Sequence, residues 1–180
     1  MKKLILFFCL TVMMKSVMAQ KEFYSIKVDS IGEKKKIDFS AFKNKNVLLI
    51  ICASKDSSFW QMDEAIQLKK LYNDQLEIVI IPTNDYGTEP DDDDMLFNIY
   101  NKPIYSSLIV AAKIDGKKNK ENSFIDWISD DRQNGSISMH FDKAFQKILI
   151  NKKGEVIGVF NKEIAPLNNI IIRSIDGNKH

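Results

Sequence analysis

Two stretches of the chain are continuously apolar, which is typical of strands buried on both faces of a sheet. They run from Val47 to Ala53 and from Leu76 to Ile81, and Pro82 closes the second one. Between them, apolar residues recur at helical spacing and predict a helix over residues 59–71. Its expected inward positions are Met62, Ala65, Ile66, Leu68 and Leu71. This strand–helix–strand order with a short crossover predicts two parallel strands.

Shorter apolar runs before and after this unit predict the remaining elements. Pro90, followed by four aspartates, predicts a helix start, because proline suits the first helical position and acids suit the positive end of the helix dipole. The other predicted elements are an edge strand at 23–28, a short strand or helix end at 108–112, a polar loop at 117–122, a short helix at 124–129, an antiparallel hairpin of 145–150 and 156–160, and a final amphipathic helix at 164–175. The lysines at 34–36 are expected to face solvent.

The N-terminal segment has the pattern of a secretory signal peptide. Lys2 and Lys3 precede the apolar run 4–14, and the small-residue pattern that ends at Ala19 predicts cleavage after that residue. Residues 1–19 are therefore expected to be the signal peptide and residues 20–180 the mature domain, in the periplasm or outside the cell. The apolar run is short for a membrane span, so none is expected. The alternative is a lipoprotein modified at Cys9, which the bulky residues before Cys9 disfavour.

Charge and cysteine content change after such cleavage. Residues 1–19 hold three lysines and no acids, so the net charge falls from +2 to −1. A near-neutral domain lacks the concentrated basic surface that nucleic-acid binding requires, and no nucleic-acid partner is expected. Cys52 becomes the only cysteine, which excludes a disulfide scaffold and two-cysteine redox chemistry within one chain.

Three motifs carry a resemblance to a known family. The first is Ala53-Ser54-Lys55, which follows a predicted strand and precedes Gln61. The second is the run 82–87 with Glu89-Pro90 beyond it, and the third is the run 147–154 that opens the predicted hairpin. In this order and spacing, the chain resembles the glutathione peroxidase family from about residue 23 to residue 175. The resemblance implies an α/β, thioredoxin-like fold with a central mixed sheet, flanking helices and the insertion of that family.

The same resemblance implies a set of catalytic positions. The family places a cysteine or selenocysteine directly after Ala-Ser-Lys, because a thiolate attacks the peroxide oxygen. It adds a glutamine and a Trp-Asn pair as hydrogen-bond donors. By position these residues fall on Asp56, Asp85, Lys143 and Ala144, so none is retained. A carboxylate cannot pass through a sulfenic acid, and the chain is expected to be a degenerate member without peroxidase activity.

Two catalytic alternatives stay open from the sequence. Cys52 could be the thiol of an active hydroperoxide reductase that responds to oxidative stress, although a buried strand position would raise its pKa and favours a core residue. Asp56 and Asp85 could form an acid/base pair or a weak metal site. Two carboxylates make a poor metal cage, so the favoured interpretation is a former active-site pocket in which Lys143 neutralises the acids.

The remaining candidates have simpler interpretations. The acid run 91–94 lacks the spaced ligands of a calcium loop, and His140 lacks nearby metal ligands. Trp127 and Phe124 are expected to pack in the core. Trp60, beside Asp56, either caps the helix by packing against it, which is favoured, or exposes an indole that anchors a partner. No cofactor and no metal are expected, and the predicted role is binding or structural, through a protein or small molecule at the former active-site surface or as a subunit of an active peroxidase.

Overall fold

The structure is a computed structural model that describes residues 22–32, 35–85, 87–89, 92–115, 123–140 and 143–177. The predicted signal peptide, Cys9 and the loop 117–122 lie outside these residues. The strands are β1 (Lys27–Asp29), β2 (Lys36–Asp38), β3 (Asn46–Cys52), β4 (Leu76–Pro82), β5 (Ile109–Val110), β6 (Lys147–Ile150) and β7 (Val156–Phe160). The helices are α1 (Gln61–Tyr72), α2 (Asp93–Tyr100), α3 (Ser123–Ser129), α4 (Asp131–Asn134) and α5 (Asn169–Asp176), with 3-10 turns at Phe23–Ser25, Phe39–Phe42, Asn73–Gln75 and Pro103–Tyr105.

The central sheet is mixed and has the strand order β5-β4-β3-β6-β7. Strands β3 and β4 are parallel, with Asn46 opposite Leu76 and Cys52 opposite Pro82. Strand β6 runs antiparallel to β3 and forms a hairpin with β7. The predicted α/β class, the parallel pair, the hairpin and the helical insertion before it are confirmed. The carboxyl ends of β3 and β4 therefore meet at one edge of the sheet.

Apolar layers cover both faces of the sheet. Every residue of β3 is buried, as its continuous apolar run predicts. One layer packs α1, α2 and α5 against the sheet, and the other contains Phe23 from the N-terminal turn and Trp127 from α3. Trp127 lies 5.3 Å from Phe23 between ring centroids, and Phe124 lies 6.4 Å from Phe39. The prediction that Trp127 and Phe124 pack in the core is confirmed.

The predicted edge strand at 23–28 is wrong in its first half. Phe23–Ser25 is a 3-10 turn, and β1 starts at Lys27 and pairs with β2 in a separate two-stranded sheet. The turn buries two consecutive aromatic side chains, Phe23 and Tyr24, on the same apolar layer. An extended strand would point consecutive side chains to opposite faces, so burial of both favours the turn.

The first long helix begins later than predicted and faces differently at its end. Helix α1 starts at Gln61, two residues after the predicted start. The prediction that Leu71 faces inward is wrong, since its side chain is 63% exposed. Leu71 follows Met62 by about two and a half turns at about 3.6 residues per turn, which puts it on the opposite face. Tyr72 occupies the inward position instead and donates to Asp176 of α5 at 2.9 Å.

Two other helix starts also move toward the C-terminus. Helix α2 begins at Asp93, and the Asp92 side chain accepts from the N–H groups of Asp94 and Met95, whereas Pro90 lies outside the described residues. The predicted helix from 164 begins only at Asn169, where the side chain of Asn168 caps it. Pro166 accounts for the delay, because a proline disfavours helical backbone in the residue before it.

Candidate functional site

Asp56 lies in the loop that leaves the carboxyl end of β3, where the resemblance predicts it. Its N–H donates to the carbonyl of Ala53 at 3.1 Å, and its carbonyl accepts from the N–H of Phe59 at 3.0 Å. The carboxylate Oδ1 also accepts from the N–H of Ser58 at 2.8 Å. Three local hydrogen bonds therefore fix both the backbone and the side chain of Asp56 before helix α1 begins.

The carboxylate of Asp56 forms an ion pair with Lys162, which follows β7. The Lys162 ammonium lies 2.7 Å from Oδ1 and 2.9 Å from Oδ2 of Asp56. The Asp56 side chain is 15% exposed and that of Lys162 is 25% exposed. Burial alone would raise the pKa of Asp56, but the bonds from Lys162 and Ser58 outweigh it and lower that pKa. The pair therefore holds Asp56 in its ionised form.

Lys162 is also held through its backbone. Its carbonyl accepts from Nε2 of Gln61 at 2.9 Å, and Gln61 is buried at the start of α1. Gln61, which belongs to the first motif, thus has a structural role, because it holds the backbone of Lys162. Asp56 and Gln61 together attach the segment after β7 to the segment after β3. Because Lys162 is 106 residues from Asp56 and lies outside the three motifs, sequence reasoning did not find it.

The other family positions lie after β4 and before β6. Asp85 is half-buried in the loop after β4, and its Oδ2 accepts from the hydroxyl of Thr83 at 2.6 Å. Lys143 is exposed and Ala144 is buried in the turn before β6. The prediction that Lys143 neutralises the acids is wrong for Asp56, because Lys162 is the cation that pairs with that carboxylate.

Cys52 is the last residue of β3 and is completely buried. Its Sγ lies 3.4 Å from the hydroxyl of Tyr100, and that hydroxyl donates to Oε1 of Glu89 at 2.6 Å. The other carboxylate oxygen of Glu89 accepts from the N–H of Ser54. Burial raises the pKa of the Cys52 thiol. The prediction of a buried core cysteine is confirmed, whereas Tyr100 was not predicted, because it lies on α2, far along the chain.

A buried lysine lies on the same face of the sheet as Cys52. Lys147, the first residue of β6, is fully buried and pairs with Ile50 of β3. Its ammonium donates to the carbonyl of Phe145 at 2.7 Å. Burial lowers the pKa of Lys147 to about 8, although the charges of Glu64 and Glu163 act in the opposite direction. The sequence showed Lys147 in the third motif but gave no sign of its burial.

Trp60 and His140, two further candidates, both lie at the surface. Trp60 is 55% exposed at the start of α1, so the favoured prediction that it packs as a cap is wrong. His140 is exposed, which confirms the surface interpretation. In the part of the chain that the structure describes, no three His, Cys, Asp or Glu side chains come together as a metal site would require. No helix in the same residues has the length and apolar character that a membrane span needs.

Comparison with known proteins agrees with the predicted resemblance and with the fold. A glutathione peroxidase-like peroxiredoxin of Candida albicans, GPX3, is 29% identical over 140 residues, which cover 73% of this chain and 80% of that protein. The crystal structure of Trgpx in its apo form matches with a TM-score of 0.63 and 23% identity, over 87% of this chain and 96% of that chain. A thioredoxin-family thiol:disulfide interchange protein from Chlorobium tepidum TLS matches with a TM-score of 0.60 and 16% identity, over 87% and 97% of the two chains.

No protein-family model matches the sequence. The predicted resemblance to glutathione peroxidases is nevertheless confirmed, and the fold is thioredoxin-like. At the position where that resemblance implies a sulfur nucleophile, this chain has a salt-bridged carboxylate. The loss of peroxidase activity stays a prediction.

Proposed function

We propose that this chain is an exported, glutathione-peroxidase-like protein that does not reduce hydroperoxides and instead binds a partner at the surface around Asp56. The observation that carries the proposal is the ion pair between Asp56 and Lys162, which are 2.7 Å apart. It occupies the end of β3, where the resemblance implies an oxidisable nucleophile.

The first step of a thiol peroxidase needs sulfur. The thiolate attacks one peroxide oxygen, the O–O bond breaks, the sulfur becomes a sulfenic acid, and the second oxygen leaves as water or an alcohol. The carboxylate of Asp56 has no lone pair soft enough for this attack and forms no sulfenic acid. Its pairing with Lys162 lowers its nucleophilicity further, because the ammonium stabilises the negative charge.

Cys52 is a poor substitute for this missing nucleophile. The thiol is fully buried behind the loop that carries Asp56, so a peroxide would reach it only after local opening. Its raised pKa keeps it protonated, and the thiol is far less reactive than the thiolate. These two properties disfavour the alternative of a Cys52-dependent reductase.

Acid/base chemistry by Asp56 is also disfavoured. A general acid must carry a proton near the working pH, which requires a carboxyl pKa raised toward neutrality. The pKa of Asp56 is lowered instead, since Lys162 and the N–H of Ser58 stabilise its ionised form. Binding at this surface is therefore favoured over hydrolysis.

A peroxidase assay on the purified mature chain, residues 20–180, tests the proposal. Hydrogen peroxide and an organic hydroperoxide are each offered with glutathione or with thioredoxin and its reductase as electron donor. We expect no consumption above that of the Cys52→Ala variant, which is the matched control. Turnover by the unmodified chain that Cys52→Ala abolishes would overturn the proposal and establish the reductase.

Thiol labelling gives an independent test of access. A maleimide reagent should leave Cys52 unmodified in the folded protein and modify it fully in denaturant. Export is tested separately, by the mass of the protein recovered from the native host. A chain that begins at Gln20 supports it, whereas a full-length chain in the cytoplasm contradicts it.

A further inference from the structure

An exposed indole stands on a rigid support next to the ion pair. Trp60 is 55% exposed, and its carbonyl accepts from the N–H of Asp63 at 3.1 Å in the first turn of α1. The preceding residue, Phe59, packs edge-on against Tyr100 and Tyr105, with ring centroids 6.0 Å and 6.2 Å apart. Because the backbone that carries the indole is already fixed, binding of a partner would cost little conformational entropy in this segment.

A second exposed apolar side chain lies in a turn that contacts the start of α1. Ile104 is 57% exposed in the 3-10 turn Pro103–Tyr105. The contact of Tyr105 with Phe59 brings that turn to the start of α1. Trp60 and Ile104 therefore each follow or precede, in the chain, one member of the half-buried Phe59–Tyr105 pair. Aromatic and large aliphatic side chains of this kind are the usual anchors of protein interfaces.

An acidic group completes this surface. Asp63 is exposed and follows Trp60 by three residues, so both side chains lie on one face of α1. Burial raises the pKa of Tyr105, and the charge of Asp63 adds to that rise. Within the described ranges, Asp63 makes no ion pair, whereas the charge of Asp56 is compensated by Lys162.

We propose that this surface docks a protein segment that presents a lysine or arginine next to a large aliphatic side chain. The surface, here called the Trp60 surface, consists of Phe59, Trp60, Asp63, Ile104 and Tyr105. The cation of the partner would lie between the Asp63 carboxylate and the face of the indole, where both attract it. The aliphatic side chain would pack on Ile104. This inference rests on the proposed binding function and adds the chemistry of the partner.

Charge selects this partner over two others. An acidic or phosphorylated segment would face the Asp63 carboxylate, which makes no ion pair among the described residues, and this is unfavourable. A purely apolar segment would bury the same carboxylate without a partner, and burying an unpaired charge carries a large free-energy cost. A segment with both a cation and an aliphatic group satisfies every member of the Trp60 surface.

Binding of short peptides to the mature chain tests the proposal. The probes are the blocked peptide Leu-Arg-Val-Lys-Leu and its counterpart with glutamate at both charged positions. Each peptide is titrated into the protein, and its affinity is obtained from the NMR signal of the Trp60 indole N–H. We expect the cationic peptide to shift that signal and to bind at least about ten-fold more tightly than the acidic peptide, which corresponds to about 1.4 kcal/mol.

Matched variants separate the Trp60 surface from the rest of α1. Trp60→Ala and Asp63→Asn should each weaken binding of the cationic peptide by about ten-fold or more. The controls are Leu71→Ala, an exposed apolar residue at the far end of the helix, and Asp74→Asn, an exposed acid beyond it. Neither control should change the affinity. Trp60 and Asp63 are exposed, so both variants should keep the thermal unfolding temperature of the unmodified chain.

Three results would overturn this inference. They are the absence of binding at millimolar peptide, equal affinity for the two peptides, and equal affinity of all four variants. Self-association that Trp60→Ala abolishes would instead identify a second copy as the occupant. None of these results bears on peroxide turnover, so failure of the Trp60 surface and failure of the proposed function are distinguishable.

Discussion

The ammonium of Lys147 lies 2.7 Å from the carbonyl oxygen of Phe145, two residues earlier, and the whole Lys147 side chain is buried. Phe145 has a φ of 62°, in the left-handed region that costs a bulky residue about 1–3 kcal/mol. Its N–H also donates to the carbonyl of Ile51 at 2.6 Å. The Phe145–Ile51 bond thus attaches the turn that carries Lys143 and Ala144 to the end of β3, and the Lys147 ammonium lies buried beside it.

This arrangement predicts an unusual pH dependence of stability. The pKa of Lys147 is about 8 in the folded protein and 10.5 in the unfolded chain. Between these values the unfolded state binds the proton and the folded state does not, so the contribution of Lys147 to the free energy of unfolding increases with pH. Below pH 8 the buried charge destabilises the protein by about 3 kcal/mol, at about 1.4 kcal/mol per pKa unit.

Lys147→Met should therefore be more stable than the unmodified chain near pH 7, with the difference shrinking by about 3 kcal/mol as the pH rises to about 10.5. Denaturant unfolding at a series of pH values measures this difference, and titration of other groups cancels in it. Lys143→Met is the matched control, because Lys143 is exposed four residues away. A difference between Lys147→Met and the unmodified chain that stays constant with pH would contradict the prediction.

The sequence predicted the sheet well because its signals are local. The continuous apolar runs of β3 and β4 predict their burial directly, and the third motif, 147–154, marks the hairpin. Lys147 shows the limit of this approach. A lysine in a strand pattern is expected to face solvent, and only the position of β6 between β3 and β7 places it in the core.

The candidate site was predicted in part for the same reason. Its position at the end of β3 follows from the motif around Asp56, and the burial of Cys52 follows from the strand. The partner of Asp56 could not be predicted, since contact with Lys162 depends on how the segment after β7 returns over α1. The exposure of Trp60 was also missed, because helical periodicity does not determine how the residues before a helix are covered.

A single asparagine is predicted to stabilise the insertion before the hairpin. Asn134 is buried, and its Nδ2 donates to the carbonyls of Trp127 and Ile137 at 2.7 Å each. Its Oδ1 accepts from the N–H groups of Ser136 and Ile137 at 2.8 Å each. Nδ2 also donates to the carbonyl of Asp130 at 3.2 Å. Asn134→Asp keeps the size and the acceptor but replaces the donor with a charged oxygen that faces these three carbonyls.

We expect Asn134→Asp to lower the free energy of unfolding by about 2–4 kcal/mol, because it leaves buried carbonyls unpaired and adds repulsion. Denaturant unfolding followed by the fluorescence of the two tryptophans, Trp60 and Trp127, measures the loss. Asn98→Asp, at an exposed position on α2, is the matched control and should change stability by less than about 0.5 kcal/mol. Equal stability of the two variants would show that the side-chain bonds of Asn134 are dispensable.

A cysteine at position 56, where the resemblance implies the nucleophile, should permit the first step of peroxide reduction. In Asp56→Cys, built on the Cys52→Ala background, the new thiol would stand where the Asp56 carboxylate accepts from Lys162 and from the N–H of Ser58. A cation and a backbone donor both stabilise a thiolate, so its pKa should fall below the ordinary value of about 8.5. We expect hydrogen peroxide to convert this thiol to a sulfenic acid, detected by mass spectrometry after trapping with a dimedone reagent.

The contribution of Lys162 to this reaction can be isolated with one further substitution. Adding Lys162→Gln should slow oxidation at pH 7 by about ten-fold, because the thiolate fraction falls as the thiol pKa returns toward its ordinary value. Asp56→Ser on the same background is the control and should give no trapped product. The full catalytic cycle should stay slow even in Asp56→Cys, since Asp85 and Ala144 do not supply the amide donors that the resemblance implies. If Lys162→Gln left the oxidation rate unchanged, Lys162 would not be the group that stabilises a negative charge at position 56.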